Sequence, residues 1–108
     1  MDRKTYIELP GVTYFLQEQP GELVAEYEAL IELLEEHGRL VTPFAEKVEP
    51  GLFAIRLRST RNVRVFYVYA DADVVYGIHA YEKKTRKIPR HELQRARKIM
   101  NALRCDNG

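Results

Sequence analysis

The sequence has few of the residues that crosslink or anchor small proteins. It contains one cysteine, no tryptophan and three scattered histidines in 108 residues. A lone Cys105 cannot form an internal disulfide, so we expect a reducing, cytoplasmic setting. His37, His79 and His91 show no zinc-type spacing with that thiol, and neither a metal nor another cofactor is predicted.

Long apolar segments are also missing. The longest uninterrupted run, residues 65–70, is far shorter than the roughly 20 residues that a helix needs to cross a bilayer. The opening Met-Asp-Arg-Lys leads into no apolar stretch, so we expect no secretory signal and no membrane association. The length is typical of a single domain, residues 1–108, that buries a core of its own.

What the sequence does contain is charge of two signs in two separate halves. Residues 1–49 carry four basic and eleven acidic side chains, whereas residues 50–108 carry thirteen basic and five acidic ones. A net charge of +1 hides this division. Two solvated helix faces of opposite sign would explain it. The alternative is that the C-terminal half presents an anion-binding surface, with phosphate as its preferred target.

Hydrophobic periodicity predicts an α+β fold. Apolar residues recur at helical spacing over residues 22–36, Gly38 follows where a left-handed C-cap is expected, and Pro89 opens a final helix. Three other segments are assigned as a short strand over residues 5–9, a weak helix over residues 12–19 and a loop over residues 40–50. Pro10-Gly11 is interpreted as a turn. The prediction is therefore helices first, then strands, then one more helix.

Three strand-like runs occupy residues 52–58, 63–69 and 74–83. They are rich in β-branched and aromatic residues and are joined by short polar turns, which predicts an antiparallel meander. Since side chains alternate across a strand, sequence parity assigns each residue to a face. One face should be apolar and covered by the helices, and the other should carry arginines.

The expected register decides which residues meet. Pairing Arg58 with Val63 places Arg56 and Arg58 beside Tyr67, and a two-residue second turn places Tyr76 opposite Tyr67.

Arg64 falls on the apolar face in that register, next to His79, near a strand end from which a long side chain reaches solvent. A histidine in this position is more typical of packing than of catalysis.

Two arginines at positions i and i+2 of an apolar strand need solvent, a carboxylate or a ligand, because an unpaired buried guanidinium is costly. The candidate carboxylates are Glu46, Glu49 and Asp106. The alternative for Arg56 and Arg58 is phosphate, which fits the planar five-donor guanidinium. Tyr67 and Tyr76 likewise have two interpretations, packing on the sheet or stacking on a nucleobase.

A basic segment links the last strand to the last helix. Residues 81–90 contain Lys83, Lys84, Arg86, Lys87 and Arg90. A charged run of this kind is usually a solvated loop. This one follows the strand end nearest Arg56 and Arg58, which favours a role in the same surface. The sequence shows no Ser-His-acid arrangement and no glycine-rich phosphate loop, so any chemistry here relies on positioning and positive charge.

Three segments resemble, in order and spacing, motifs of the RelE/ParE-like toxin superfamily, in particular the phage-derived HigB-like toxins of type II toxin–antitoxin systems. They are Gly-Leu-Phe-Ala-Ile-Arg-Leu-Arg at residues 51–58, Arg-Val-Phe-Tyr at residues 64–67 and His-Ala-Tyr-Glu-Lys-Lys-Thr-Arg-Lys-Ile-Pro at residues 79–89. The resemblance covers about residues 20–103.

The resemblance implies a RelE-like fold of N-terminal helices on a small curved antiparallel sheet, with a C-terminal helix. It also implies ribosome-dependent, metal-independent cleavage of messenger RNA by its own 2′-hydroxyl, and neutralisation by a HigA-like helix-turn-helix antitoxin in a hetero-oligomer. The catalytic candidates are Arg56, Arg58, Arg64, Tyr67 and Lys83. The RNA-binding candidates are Arg61, Tyr76, Lys84, Arg86 and Lys87.

Three residues depart from the family motifs. Ala54 stands in place of a glutamate, Ala80 in place of a glycine, and Glu82 adds an acid before the lysines. They motivate a second hypothesis, a non-catalytic RNA- or ribosome-binding module on the same fold. A third hypothesis is a ParE-like gyrase inhibitor, since such relatives share the fold, although the lysine-rich segment favours the HigB-like branch.

Overall fold

A computed structural model describes residues 3–107, with side chains placed for residues 3–104. The strands in this part are β1 (Thr5–Glu8), β2 (Ala45–Glu49), β3 (Leu52–Leu57), β4 (Val63–Asp71) and β5 (Val74–Glu82). The helices are α1 (Pro10–Gln17), α2 (Gly21–His37) and α3 (Arg90–Asn107). Asp106 and Cys105 lie outside the described side chains.

The strands form one open mixed sheet in the order β1-β5-β4-β3-β2. The antiparallel meander β3-β4-β5 at its centre is confirmed. At one edge β1 pairs parallel with β5, and at the other β2 pairs antiparallel with β3. Because α1 and α2 pack on one face and α3 on the other, the sheet is the middle of three layers. The predicted α+β class is therefore confirmed.

Two local predictions need correction. The prediction of a loop over residues 40–50 is wrong for its C-terminal part, because residues 45–49 form β2. Three charged side chains in that short strand conceal its alternation. The strand near the N-terminus is confirmed, but Pro10 begins α1 and does not form a turn. Proline suits the first helical position, where its missing N–H has no intrahelical partner in any case.

α2 follows its predicted pattern closely. Leu23, Tyr27, Leu30 and Leu34 are buried on one side of it. Gly38 has a φ of 79°, and its N–H donates to the Leu34 carbonyl at 2.8 Å. A left-handed glycine ends the helix at the expected residue because a side chain there would be strained.

The predicted register between β3 and β4 is wrong by one residue. Leu57, not Arg58, pairs with Val63, so Arg56 lies directly opposite Arg64. A shift of one residue exchanges the two faces of a whole strand. Arg64 therefore shares a face with Arg56.

The second hairpin also differs from the prediction. Tyr76 lies opposite Val68, because Asp71 pairs with Val74 across the turn and the pairing shifts between Tyr69 and Asp71. Further from the turn, a bulge interrupts the pairing of β4 and β5 between Phe66 and Tyr67. Ile78 is the extra residue of that bulge. The expected pair of Tyr76 and Tyr67 is thus wrong.

Two hydrophobic clusters hold the layers together. The first joins α1 and α2 to the sheet, and the second joins α3 to the opposite face through Ala96 and Met100. Six consecutive residues of β4, residues 63–68, are buried. Because both faces of β4 are covered, its hydrophobic pattern does not alternate, and the sequence alone does not show which side chains point to which face. No helix in the described part of the chain has the length and apolarity to cross a membrane.

Candidate functional site

The cationic residues of the C-terminal half meet at one end of the sheet. β3 and β5 end there and β4 begins there. The Lys83 N–H donates to the Asn62 carbonyl at 2.8 Å, which holds the segment after β5 against the turn between β3 and β4. We call this region the basic end and define it by Arg56, Arg58, Arg61, Lys83 and Lys84.

The basic end is open to solvent at most positions. Arg58, Arg61 and Lys84 are exposed, whereas Arg56 and Lys83 are half-buried. Arg86 and Lys87 are exposed in the following segment. Five of the ten candidates proposed from sequence thus lie at the basic end, and Arg64 pairs with one of them across the sheet.

Acidic side chains support this region without covering it. The Glu26 carboxylate on α2 accepts the backbone N–H groups of Arg58 and Ser59 at 2.9–3.0 Å. One Glu82 oxygen lies 3.9 Å from Arg61 Nη1. The first contact fixes the turn, and the guanidinium of Arg58 remains exposed.

Arg64 is the buried member of the arginine group. It is 4% exposed, and its Nε donates to Glu46 Oε1 at 3.2 Å. A buried guanidinium needs such a partner to offset its lost hydration. Glu46 is thus a partner of an arginine, as expected, but of Arg64 and not of Arg56 or Arg58. Glu49, another expected partner, binds Arg97.

Two unsatisfied polar groups flank Arg64 in the same row across the sheet. Arg56 lies opposite it on β3 and Tyr81 lies opposite it on β5. Arg56 Nε and the Tyr81 hydroxyl are buried, and neither has a hydrogen-bond partner in the described part of the chain. Buried polar groups are normally paired, so two unpaired ones in one row mark this place as a candidate ligand site.

Burial raises the pKa of Tyr81 to about 12, with Arg64 opposing the rise and Glu92 and Glu46 adding to it. The phenol is therefore neutral at physiological pH. It is a donor that lacks an acceptor.

A histidine and a carboxylate complete this group of side chains. His79 Nε2 lies 2.6 Å from Glu92 Oε1, and the other Glu92 oxygen lies 3.3 Å from His91 Nε2. The His79 ring stacks beside Phe66, with 6° between the ring planes. Glu92 stands in the first turn of α3, so the helix that covers this face also supplies an acid to it.

We refer to these residues together as the α3-side cluster. Its members are Glu46, Arg56, Arg64, His79, Tyr81 and Glu92. The cluster combines two guanidinium groups with two carboxylates, an imidazole and a phenol. Guanidinium groups are the side chains best suited to bind a phosphate, and imidazole and carboxylate groups can transfer protons, so the cluster has the group types that phosphodiester chemistry requires. Among residues 3–104, no three His, Cys, Asp or Glu side chains are grouped so as to hold a metal ion.

Tyr67 and Tyr76 do not join the cluster. Tyr67 is 1% exposed on the opposite face, stacked on Phe53, and burial raises its pKa. Tyr76 is half-buried on the α3 side and packs against the second hydrophobic cluster. The expected grouping of Tyr67 with Arg56 and Arg58 is wrong, because it depended on the incorrect register. Tyr76 shares the face of Arg56, as expected, but it pairs with Val68, four positions along β4 from Arg64.

Sequence reasoning misses two members of the cluster, Tyr81 and Glu92. It names two others in different roles, since it treats Glu46 as a partner for Arg56 or Arg58 and assigns His79 to packing. The available signal is their position, since Tyr81 lies one residue before the end of β5 and Glu92 lies in the first turn of α3. Only the correct register places Tyr81 opposite Arg64.

A protein-family model matches most of the chain. The family model described as Phage derived protein Gp49-like (DUF891) matches residues 14–101, which include the whole basic end and the α3-side cluster. No curated protein matches the chain.

Proposed function

The chain belongs to the family of phage-derived Gp49-like proteins (DUF891), and on that premise we propose that it is a toxin that cleaves messenger RNA. The family is associated with toxin–antitoxin systems. The HigB-like placement within the RelE/ParE-like superfamily, suggested by the three sequence motifs, belongs to this proposal.

The α3-side cluster is the observation that carries the proposal. Two guanidinium groups lie opposite each other, and Arg56 Nε has no partner within the described residues. Beside them are groups that accept and donate protons. A phosphodiester seated at this point would pair the free guanidinium and receive the Tyr81 hydroxyl.

The reaction we propose is attack of the RNA 2′-oxygen on the adjacent phosphorus. The P–O2′ bond forms and the P–O5′ bond breaks, which leaves a 2′,3′-cyclic phosphate and a 5′-hydroxyl. The Glu46 carboxylate is our candidate to accept the 2′-proton, because its side chain is 39% exposed at the edge of the cluster. His79, held by Glu92, is our candidate to protonate the leaving 5′-oxygen.

The arginines stabilise charge in this scheme. Arg56 and Arg64 bind the non-bridging oxygens of the phosphate, and each such donor is worth about 10²–10³ in rate in typical enzymes. Arg58, Arg61, Lys83, Lys84, Arg86 and Lys87 attract and hold the strand on either side. Lys83 is the alternative proton-transfer group, since it is half-buried among cations. Tyr67 has no role in this scheme, because it is buried in the other layer.

A toxin–antitoxin family implies an antitoxin partner. We propose a HigA-like helix-turn-helix antitoxin that forms a hetero-oligomer with this chain in the cytoplasm, and messenger RNA on the ribosome as the substrate. Antitoxin carboxylates would cover the basic end. The acidic surface of α2 is the alternative contact, and chemical-shift mapping of the complex distinguishes the two.

The test is expression of the chain in bacteria, together with in-vitro translation followed by primer extension on the message. We expect growth arrest and new 5′ ends. Arg56→Ala should abolish both. Arg39 is an exposed arginine that follows α2, so Arg39→Ala is the control and should change neither. Wild-type levels of cleavage by the Arg56→Ala protein would contradict the assignment.

The same assays separate the alternatives. Blocked translation without new 5′ ends would indicate a non-catalytic RNA- or ribosome-binding module. Intact translation with inhibited DNA supercoiling would indicate a gyrase inhibitor.

A further inference from the structure

A groove between α1, β5 and α3 lies next to the α3-side cluster. It has a volume of about 660 Å³, a size typical of small-molecule sites in proteins. Its floor is apolar and consists of Leu9, Ile78 and Ile99. Its rim on α3 is polar. None of these residues belongs to the motifs that suggested a function.

The rim carries cations that the fold does not use. Arg95 and Lys98 are three residues apart on α3, so they project from one side of the helix, and Gln94 lies beside them. Within residues 3–104, neither cation forms an ion pair or a side-chain hydrogen bond, whereas Arg97 on the neighbouring side is held by Glu49. These two charges are therefore free to bind an anion.

The groove is continuous with the cluster through His79. His79 lines the groove and contacts Glu92 in the cluster, and His91 stands at the same end. Glu92 lies between the two imidazoles, so the groove is least cationic near His79 and most cationic near Lys98. Along β5, His79 is two residues from Tyr81, a distance of about 7 Å at the rise of a β-strand.

We propose that this groove binds one nucleotide of the RNA strand whose phosphate occupies the α3-side cluster. The base lies on the apolar floor, the Gln94 amide pairs with the base edge, and Arg95 and Lys98 hold the nucleotide's phosphate. An amide offers both a donor and an acceptor, which a base edge requires and a simple anion does not. The choice of RNA as the ligand rests on the proposed function. The new part is that these groove residues select the nucleotide.

The chain offers a variant that fills the groove without disturbing the fold. Gly11 lines the groove, and a Cβ added to it meets no atom within 4 Å. Gly11→Glu therefore places a carboxylate in the groove near the start of α1, where an acid is tolerated. Gly21→Glu is the matched control, since Gly21 begins α2, lies outside the groove and has equally open space.

The experiment is chemical-shift mapping of the labelled protein with each of the four nucleoside 3′-monophosphates and, separately, with inorganic phosphate. We expect saturable shifts at Gly11, Ile78, Gln94 and Ile99 with at least one nucleotide and not with phosphate. Gly11→Glu should weaken that binding about tenfold, because the added carboxylate repels the nucleotide's phosphate and occupies part of the groove. Gly21→Glu should leave it unchanged.

Several outcomes would overturn the proposal. Shifts confined to the basic end, or equal shifts with inorganic phosphate, would show that the groove does not select a nucleotide. If wild-type protein cleaves messenger RNA but no groove residue changes its chemical shift, nucleotide binding in the groove is contradicted and the proposed function remains. If groove residues shift but no cleavage occurs, nucleotide binding is supported and the ribonuclease function is contradicted.

Discussion

Arg56 and Arg64 lie directly opposite each other on β3 and β4, although like charges at paired strand positions repel. Glu46 compensates Arg64, but Arg56 Nε is buried without a partner in the described part of the chain. The folded protein gains little from this arrangement by itself. A phosphate bound between them, as we propose, would neutralise the repulsion of the two guanidinium groups.

Glu46→Gln should destabilise the protein more than removal of a surface ion pair does. It leaves the buried Arg64 without its carboxylate, and we expect the free energy of unfolding to fall by about 2 kcal/mol. Glu49→Gln, which breaks the more exposed pair with Arg97, should cost less than about 1 kcal/mol. Urea denaturation of both variants measures the difference, and equal decreases would contradict the structural role given to Glu46.

Tyr81→Phe should stabilise the protein while it impairs activity. Its hydroxyl is buried without an acceptor among the described residues, so its removal should raise the free energy of unfolding by about 1 kcal/mol. Cleavage in the translation assay should fall, because the phosphate loses a donor. Tyr14→Phe, at a residue that is 68% exposed, is the control and should alter neither quantity. A Tyr81→Phe protein with lower stability and normal cleavage would refute this assignment.

Acidification should weaken the contact between β2 and α3. Hydrogen bonding from Arg97 lowers the pKa of Glu49 below its ordinary 4.5. The resulting stabilisation is present above pH 4.5 and is lost as the pH falls through the lowered folded-state pKa. Arg97→Gln should therefore lose less stability than wild type between about pH 6 and about pH 3. Denaturation at a series of pH values checks this, and parallel curves would argue against it.

RNA binding should depend steeply on salt because of the segment after β5. Replacing Lys83, Lys84 and Lys87 by glutamine should reduce the slope of log affinity against log salt by about 0.7 for each RNA phosphate that the variant no longer neutralises. Fluorescence anisotropy with a single-stranded RNA measures the slope. The double variant Arg39→Gln, Lys47→Gln changes exposed cations outside the basic end and should preserve it. An unchanged slope in the triple variant would show that the segment is only a solvated loop.

The amino-acid sequence alone determined most of the secondary structure. α2 and its Gly38 cap, the three central strands and α3 follow from local periodicity and turn residues, which act within a few positions of the chain. The concentration of cations toward one end of the sheet also follows, since the basic motifs occupy strand ends and turns.

The tertiary structure decided which side chains face each other. β4 is buried on both faces from Val63 to Val68, so its alternating side chains do not show which face lies toward α2 and which toward α3. The five residues between Leu57 and Val63 and the bulge at Ile78 set the register. They place Tyr67 in the core and Tyr81 opposite Arg64, while Glu46 reaches Arg64 from β2 and Glu92 reaches His79 from α3. Strand pairing and layer packing join residues far apart in the chain, and local periodicity cannot specify such contacts.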